Sequence, residues 1–335
     1  MRIKQRGGAK LKKTAIIILA IMLVLSFTLV VTGCKDEAAK NPTIGIIQYV
    51  EHIALDAARD GFIDALADNG YVDGENITID LQNAQADQSN LSTISDRFVA
   101  NNVDLVLAIA TPAAQSIAGK TKDIPILGTA ITDYEAAKLV DSNEAPGGNV
   151  SGTTDMNPIK EQIELLVKLV PDAQTVGVIY TSSEDNSIVQ AQIAKAVIED
   201  MGLTYTEVTI TNSNDVQQAT QSIVGDCDAL YLPTDNILAS SMPVINGVTV
   251  ESKTPVICGE SGMVIAGGLA TLGINYYDLG YQTGLMAVKI LKGEAEPATM
   301  AIESATEFDY AINGTVAEEI GLEIPADLTQ YIIEE

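Results

Sequence analysis

The chain is poor in the residues on which most enzyme chemistry rests. Its 335 residues include one histidine, His52, and three cysteines. A histidine-built zinc site is therefore excluded, as is any histidine-dependent triad that does not use His52. No CxxC pair occurs, and the GxxxxGK[ST], GxGxxG and GxSxG patterns are all missing. No cofactor or metal is expected. Basic residues are also scarce. Of 19 Lys and Arg, six precede residue 34, which leaves 13 against 45 Asp and Glu, a net charge of −32 for the remainder. Nucleic-acid binding and a polybasic grip on anionic lipid both need clustered Lys and Arg, so both are excluded. The acidity itself reads as a solubility device for a secreted protein.

The basic residues that do occur are concentrated at the start: Arg2, Lys4, Arg6, Lys10, Lys12 and Lys13, with no acidic residue before Asp36. An apolar run over 15–25 follows and continues through Phe27, Leu29 and Val31. A basic head before an apolar body is the layout of a secretory signal peptide. The stretch 15–31 is at the short edge of what spans a bilayer. It ends on Val31-Thr32-Gly33-Cys34, which resembles a bacterial lipobox. Residues 1–33 are thus expected to be a lipoprotein signal peptide, Cys34 the lipidated mature N-terminus and 34–42 a tether. Two or more acyl chains suffice for stable anchoring, so the expected location is extracytoplasmic, held to the cell membrane by Cys34. The other cysteines, Cys227 and Cys258, lie in or beside apolar strand-like runs and read as buried free thiols, with a disulfide between them left open.

About 300 residues exceed the size at which single cores usually split, so two domains are expected. The chain alternates strand and helix: strands at 43–48, 76–81, 103–109 and 124–127, with helices at 53–69, 90–101 and 112–119 between them. That alternation indicates a parallel sheet with helices on both faces. The pattern then repeats. TIGII at 43–47 is echoed by TVGVI at 175–179, the strand 103–109 by residues 227–232, and IPILG at 124–128 by TPVICG at 254–259. Two similar Rossmann-like α/β lobes follow: 43–153 plus about 274–296, and 154–273 plus about 297–335. A chain that returns to its first lobe leaves several strands across a waist, which acts as a hinge.

Several segments carry a family likeness. They include IGIIQYVEH (44–52), LAIATPAA (107–114), PILGTA (125–130), GVIYTSSEDNS (177–187), YLPTDN (231–236) and LGINYY (272–277). From residue 41 to about 325 the chain resembles the extracytoplasmic substrate-binding proteins of ABC importers, with the type I periplasmic-binding fold. The resemblance implies a small-molecule ligand, with aromatic amino acids bound by some members, and as partners a permease and its ATPase subunit. It implies a monomer and no catalysis. One departure is His52-Ile53, where relatives carry His-Pro.

Ligands of open α/β sheets bind beyond the carboxyl ends of the strands. In the first lobe those ends carry Gln48, Tyr49, Glu51 and His52, then Thr111 and Pro112, then Thr129, Thr132 and Asp133. In the second they carry Ser182, Ser183, Asp185, Asn186 and Ser187, then Thr234, Asp235 and Asn236, then Glu260. Asn275 and Tyr276 follow the strand that crosses back. Thr111 and Pro112 suit a helix start whose free N–H groups favour an anion, although ordinary capping explains them equally well. Asp235 is the expected partner of a ligand ammonium, with helix capping as the competing role. Tyr49 and Tyr276 suit stacking on a flat ligand or half-buried packing, and His52 reads as a surface residue. Glu51, Asp133, Asp185, Asp235 and Glu260 leave a carboxylate-dependent hydrolase open, and a sensory lipoprotein of the same fold is the other alternative.

Overall fold

A computed structural model describes residues 41–333. The expected signal peptide and Cys34 lie outside the described residues. The first lobe runs β1 (Thr43–Gln48), α1 (Ile53–Asp68), β2 (Thr78–Asn83), α2 (Gln88–Asn101), β3 (Leu105–Ile109), α3 (Thr111–Ala118), β4 (Ile126–Ile131) and β5 (Val150–Thr154). The second opens on α4 (Ile159–Leu169) and continues β6 (Thr175–Thr181), α5 (Asp185–Asp200), β7 (Thr204–Ile210), α6 (Val216–Ile223) and β8 (Ala229–Leu232). It ends with α7 (Asn236–Ser240), α8 (Met242–Ser252), β9 (Val256–Cys258), α9 (Ser261–Ile265) and β10 (Ala270–Gly273). The return segment adds α10 (Tyr276–Leu291), β11 (Glu303–Ser304), β12 (Asp309–Ile312) and α11 (Gly314–Ile320).

Two six-stranded sheets result, ordered β11-β5-β4-β3-β1-β2 and β12-β10-β9-β8-β6-β7. All pairings are parallel except β10 with β12. The members of each sequence echo hold the same rank in their sheets: β1 with β6, β3 with β8, β4 with β9. Every residue of β3 and β4 is buried, as befits strands covered on both faces. Local sequence sets the helix ends. Asp87 accepts from the Asn90 N–H at 2.8 Å to start α2, and Asn313 accepts from the Val316 N–H at 3.0 Å to start α11.

The return segment locks onto the first lobe. Helix α10 crosses α1 so closely that a Cβ on Gly61 or Gly280 would overlap the facing backbone, and only glycine permits that approach. Tyr277 and Tyr281 stitch the pair by donating to Asp64 and Asp68 at 2.8 and 3.1 Å. The chain stays with the first sheet through Ser304, because β11 pairs with β5 in the register Glu303↔Thr153. The expected crossing near residue 297 is thus corrected to after 304. Three connections span the waist: β5 to α4, β10 to α10 and β11 to β12. Cys227 and Cys258 are both free thiols, Cys258 fully buried. No helix among the described residues is long and apolar enough to cross a membrane.

Candidate ligand-binding site

Strand ends from both lobes meet at one seam, which encloses a cavity of about 10 Å³, room for about one water molecule. From the first lobe it is lined by His52 and Leu55 at the start of α1, Ala130 and Thr132 at the end of β4, and Asp155 after β5. The second lobe supplies Asn186 on α5, Thr234, Asp235, Asn236 and Ala239 around α7, and Glu260 before α9. Tyr276, at the start of α10, closes it from the waist. Ala130 has φ 55°, and Ala110, just before α3, has φ 82°. Such left-handed alanines are strained and cluster where a fold fixes a site.

The seam is acidic. Asp155, Glu184, Asp235 and Glu260 are all buried, and none belongs to a salt bridge found among the described residues. Each is held by neutral donors instead. Asp155 accepts from the Thr132 hydroxyl at 3.0 Å and the Tyr276 hydroxyl at 2.7 Å. Asp235 accepts from the Thr181 N–H at 2.6 Å, the Thr181 hydroxyl at 2.9 Å and the Leu238 N–H at 2.9 Å. It therefore caps α7 and ties it to β6. Glu260 caps α9 through the Gly262 and Met263 N–H groups, and Glu184 accepts from the Asn236 amide at 2.6 Å. Burial raises all four carboxyls. It pushes Glu260 up to about 7, with help from the Asp155 charge. Glu184 is raised well above the carboxylate range by burial and then by the charge of Asp235. For Asp155 and Asp235 burial outweighs the hydroxyl and N–H donors that oppose it.

Buried polar atoms without a hydrogen-bond partner include Thr111 Oγ1, both ring nitrogens of His52, Glu184 Oε1 and Asn186 Oδ1. Asn236 lies beside the His52 ring, but neither nitrogen is met at hydrogen-bonding geometry. Burial pushes this imidazole down to about 4, against the opposing pull of Asn236 and Asp56. The lobes are joined across the seam by Gln115, which donates to Asp185 at 2.7 Å, and by Gln190, which donates to Thr132 at 3.3 Å.

Of the residues expected from sequence, Thr132, Asn186, Thr234, Asp235, Asn236, Glu260 and Tyr276 come together around the cavity. The others do not line it. Gln48 is held by the Val50 carbonyl, Asp56 and Arg59. The Tyr49 hydroxyl turns to the Ala86 carbonyl at 3.5 Å. Thr129 belongs to a buried hydroxyl chain with Thr153 and Thr283. Asp133 caps its own turn through Glu135 and Ala136, and Asn275 caps α10. Ser182 and Ser183 are exposed, and Ser187 is buried within α5 beside Asp235. Thr111 and Pro112 form the buried start of α3.

Sequence reading missed Asp155, Glu184, Leu55, Ala130 and Ala239 as site residues. Asp155 follows the point where the first lobe was expected to end, and Glu184 sits inside a segment noticed for its hydroxyls. His52, read as a surface residue, instead turns its ring nitrogens into the protein.

This geometry can be set beside known proteins. Residues 43–334 match the family described as ABC transporter substrate binding protein. A tyrosine-binding protein of Clostridioides difficile is 41% identical over 96% of both chains. Among solved structures, an ABC domain from Streptococcus pneumonia in complex with L-Trp is 40% identical, with a TM-score of 0.85 over 88% of this chain and 100% of that one. A ligand-free, open substrate-binding protein from Clostridium difficile, with adhesive properties, is 47% identical but has a TM-score of only 0.67, over 88% of this chain and 99% of that one. The overlap is thus better with the L-Trp complex than with the open, ligand-free form, although the identity to the latter is higher. Fold, coverage and identity agree: the chain belongs to the ABC transporter substrate-binding proteins.

Proposed function

We propose that the ligand is an aromatic amino acid, held between the lobes by its ammonium group among the buried carboxylates. The observation that carries this reading is the seam itself. Four carboxyls are buried there, and no salt bridge among the described residues reaches them. An uncompensated buried carboxylate is costly, so the cleft favours a ligand that brings positive charge. Asp155 is its best partner, because only two neutral hydroxyls hold it, whereas three donors already occupy Asp235. The aromatic side chain is supported by the tyrosine-binding relative and by the L-Trp complex.

On this reading the carboxyls serve binding and helix capping, not catalysis. Ligand binding closes the lobes by its differential affinity for the two states, the closed form docks on a permease, and ATP hydrolysis on a separate subunit drives release. Lipidated Cys34 tethers a monomer to the outer face of the membrane. The test is a thermal-shift screen against amino acids, sugars and nucleosides. A ligand at 100-fold excess over Kd adds about 2.7 kcal/mol to stability, so tyrosine, tryptophan or phenylalanine should raise Tm selectively. A shift with sugars or nucleosides alone would overturn the ligand assignment.

A further inference from the structure

Two neutral polar groups at the cavity have no partner inside the protein. The His52 ring nitrogens and Asn186 Oδ1 are buried and unpaired. Both residues line the same cavity of about 10 Å³, one from each lobe. The Asn186 amide cannot be turned to relieve this. Its Nδ2 donates to the Thr234 carbonyl at 3.2 Å and to Glu184 Oε2 at 3.4 Å, and a flipped amide would set oxygen against oxygen. Oδ1 is therefore an acceptor in want of a donor. A neutral imidazole offers one donor and one acceptor nitrogen, and burial keeps the His52 ring neutral. Buried groups of this kind are normally satisfied. A hydroxyl both donates and accepts and so satisfies both kinds of group, whereas a ring N–H satisfies only the acceptors. Leu55 and Ala239 line the same cavity and give a ring edge apolar neighbours.

We propose that His52 and Asn186 read a hydrogen-bond donor carried on the ring of the ligand. The cleft then selects an amino acid bearing a phenolic hydroxyl or a ring N–H over one with a bare ring. The inference rests on the aromatic amino-acid reading above and adds to it the two residues that discriminate within that class.

Calorimetric titration of the full-length chain in detergent with L-tyrosine, L-tryptophan and L-phenylalanine tests both levels. Leaving buried partners unpaired costs enough that tyrosine should bind at least about tenfold tighter than phenylalanine, with tryptophan between them. His52→Leu should weaken tyrosine more than phenylalanine and bring the two to the same level, while its thermal melt reports that the variant folds. His52→Gln keeps a donor and an acceptor and should retain most of the preference; Asn186→Ala should lose it. Equal affinities of the wild type for all three overturn the inference alone, as does a His52→Leu variant that weakens all three equally. Binding of none of them overturns the reading on which it rests.

Discussion

Ile53 stands at the first position of α1, and His52 before it is extended, with φ −161° and ψ 165°. That position suits proline, whose missing N–H is not needed there, and an extended residue is what proline requires before it. Ile53→Pro should therefore leave binding intact and raise stability by about 0.4–1 kcal/mol. Chemical denaturation measures this, and a loss of more than about 1 kcal/mol would refute the helix start described. Residue by residue, the site was half legible. Asp235 could be placed at a strand end, but an ammonium partner and a helix cap occupy the same place in a sequence. Only the three donors around it show that its oxygens are already engaged. Asp155 was beyond sequence reading because its surroundings are assembled from afar: Thr132 lies 23 residues before it and Tyr276 lies 121 after it. His52 misled because a lone histidine beside a loop gives no sign of which way its ring turns.

Among the elements, α9 and α1 meet at the seam with little room to spare. A Cβ on Gly262 would lie 3.0 Å from Ile53 Cβ and 3.2 Å from the Ala54 nitrogen. Gly262→Val should hold the lobes apart and weaken ligand binding about tenfold or more while the lobes themselves stay folded. Unchanged affinity with unchanged scattering would show that this contact does not limit closure. The central strands were readable because burial on both faces leaves unbroken apolar runs. Edges were harder. Strand β2 starts at Thr78, two residues later than expected, because Asn76 is held in a turn by Gly70 and Val72. Strand β7 alternates exposed and partly buried residues at a sheet edge and leaves no apolar run to notice. Helix α8 was hidden by its β-branched Val and Thr residues.

For the whole molecule, the two-lobe plan was visible because the repeat conserves the order of elements, and the sheets hold the echoed strands at matching ranks. Nothing in the sequence located the last waist crossing, since two-residue β11 has no pattern of its own. Closure gathers acid into one place, with a consequence for pH. The Glu260 carboxyl rises from 4.5 in the unfolded chain to about 7 in the fold. The folded state thus holds the extra proton, and this contribution is present below pH 4.5 and lost as pH rises through 7. The raised pKa of Glu184 acts in the same direction. His52 acts oppositely, since its stability is lost as pH falls from 6.5 toward 4. Above pH 6.5 only the carboxyls slope, so the closed form should lose stability between pH 6.5 and 8. Glu260→Gln should reduce that loss, and a Tm that rises across the window would contradict the buried acid cluster.

A cavity of about 10 Å³ admits no amino acid unless the lobes part, so binding and lobe movement are one event. Small-angle scattering of the chain with and without saturating L-tyrosine measures that event directly. The ligand-free chain should be the more extended, with a clear contraction on adding tyrosine and none on adding glucose. A scattering curve that tyrosine leaves unchanged, at a concentration where calorimetry shows the protein saturated, would contradict closure of two lobes around an aromatic amino acid.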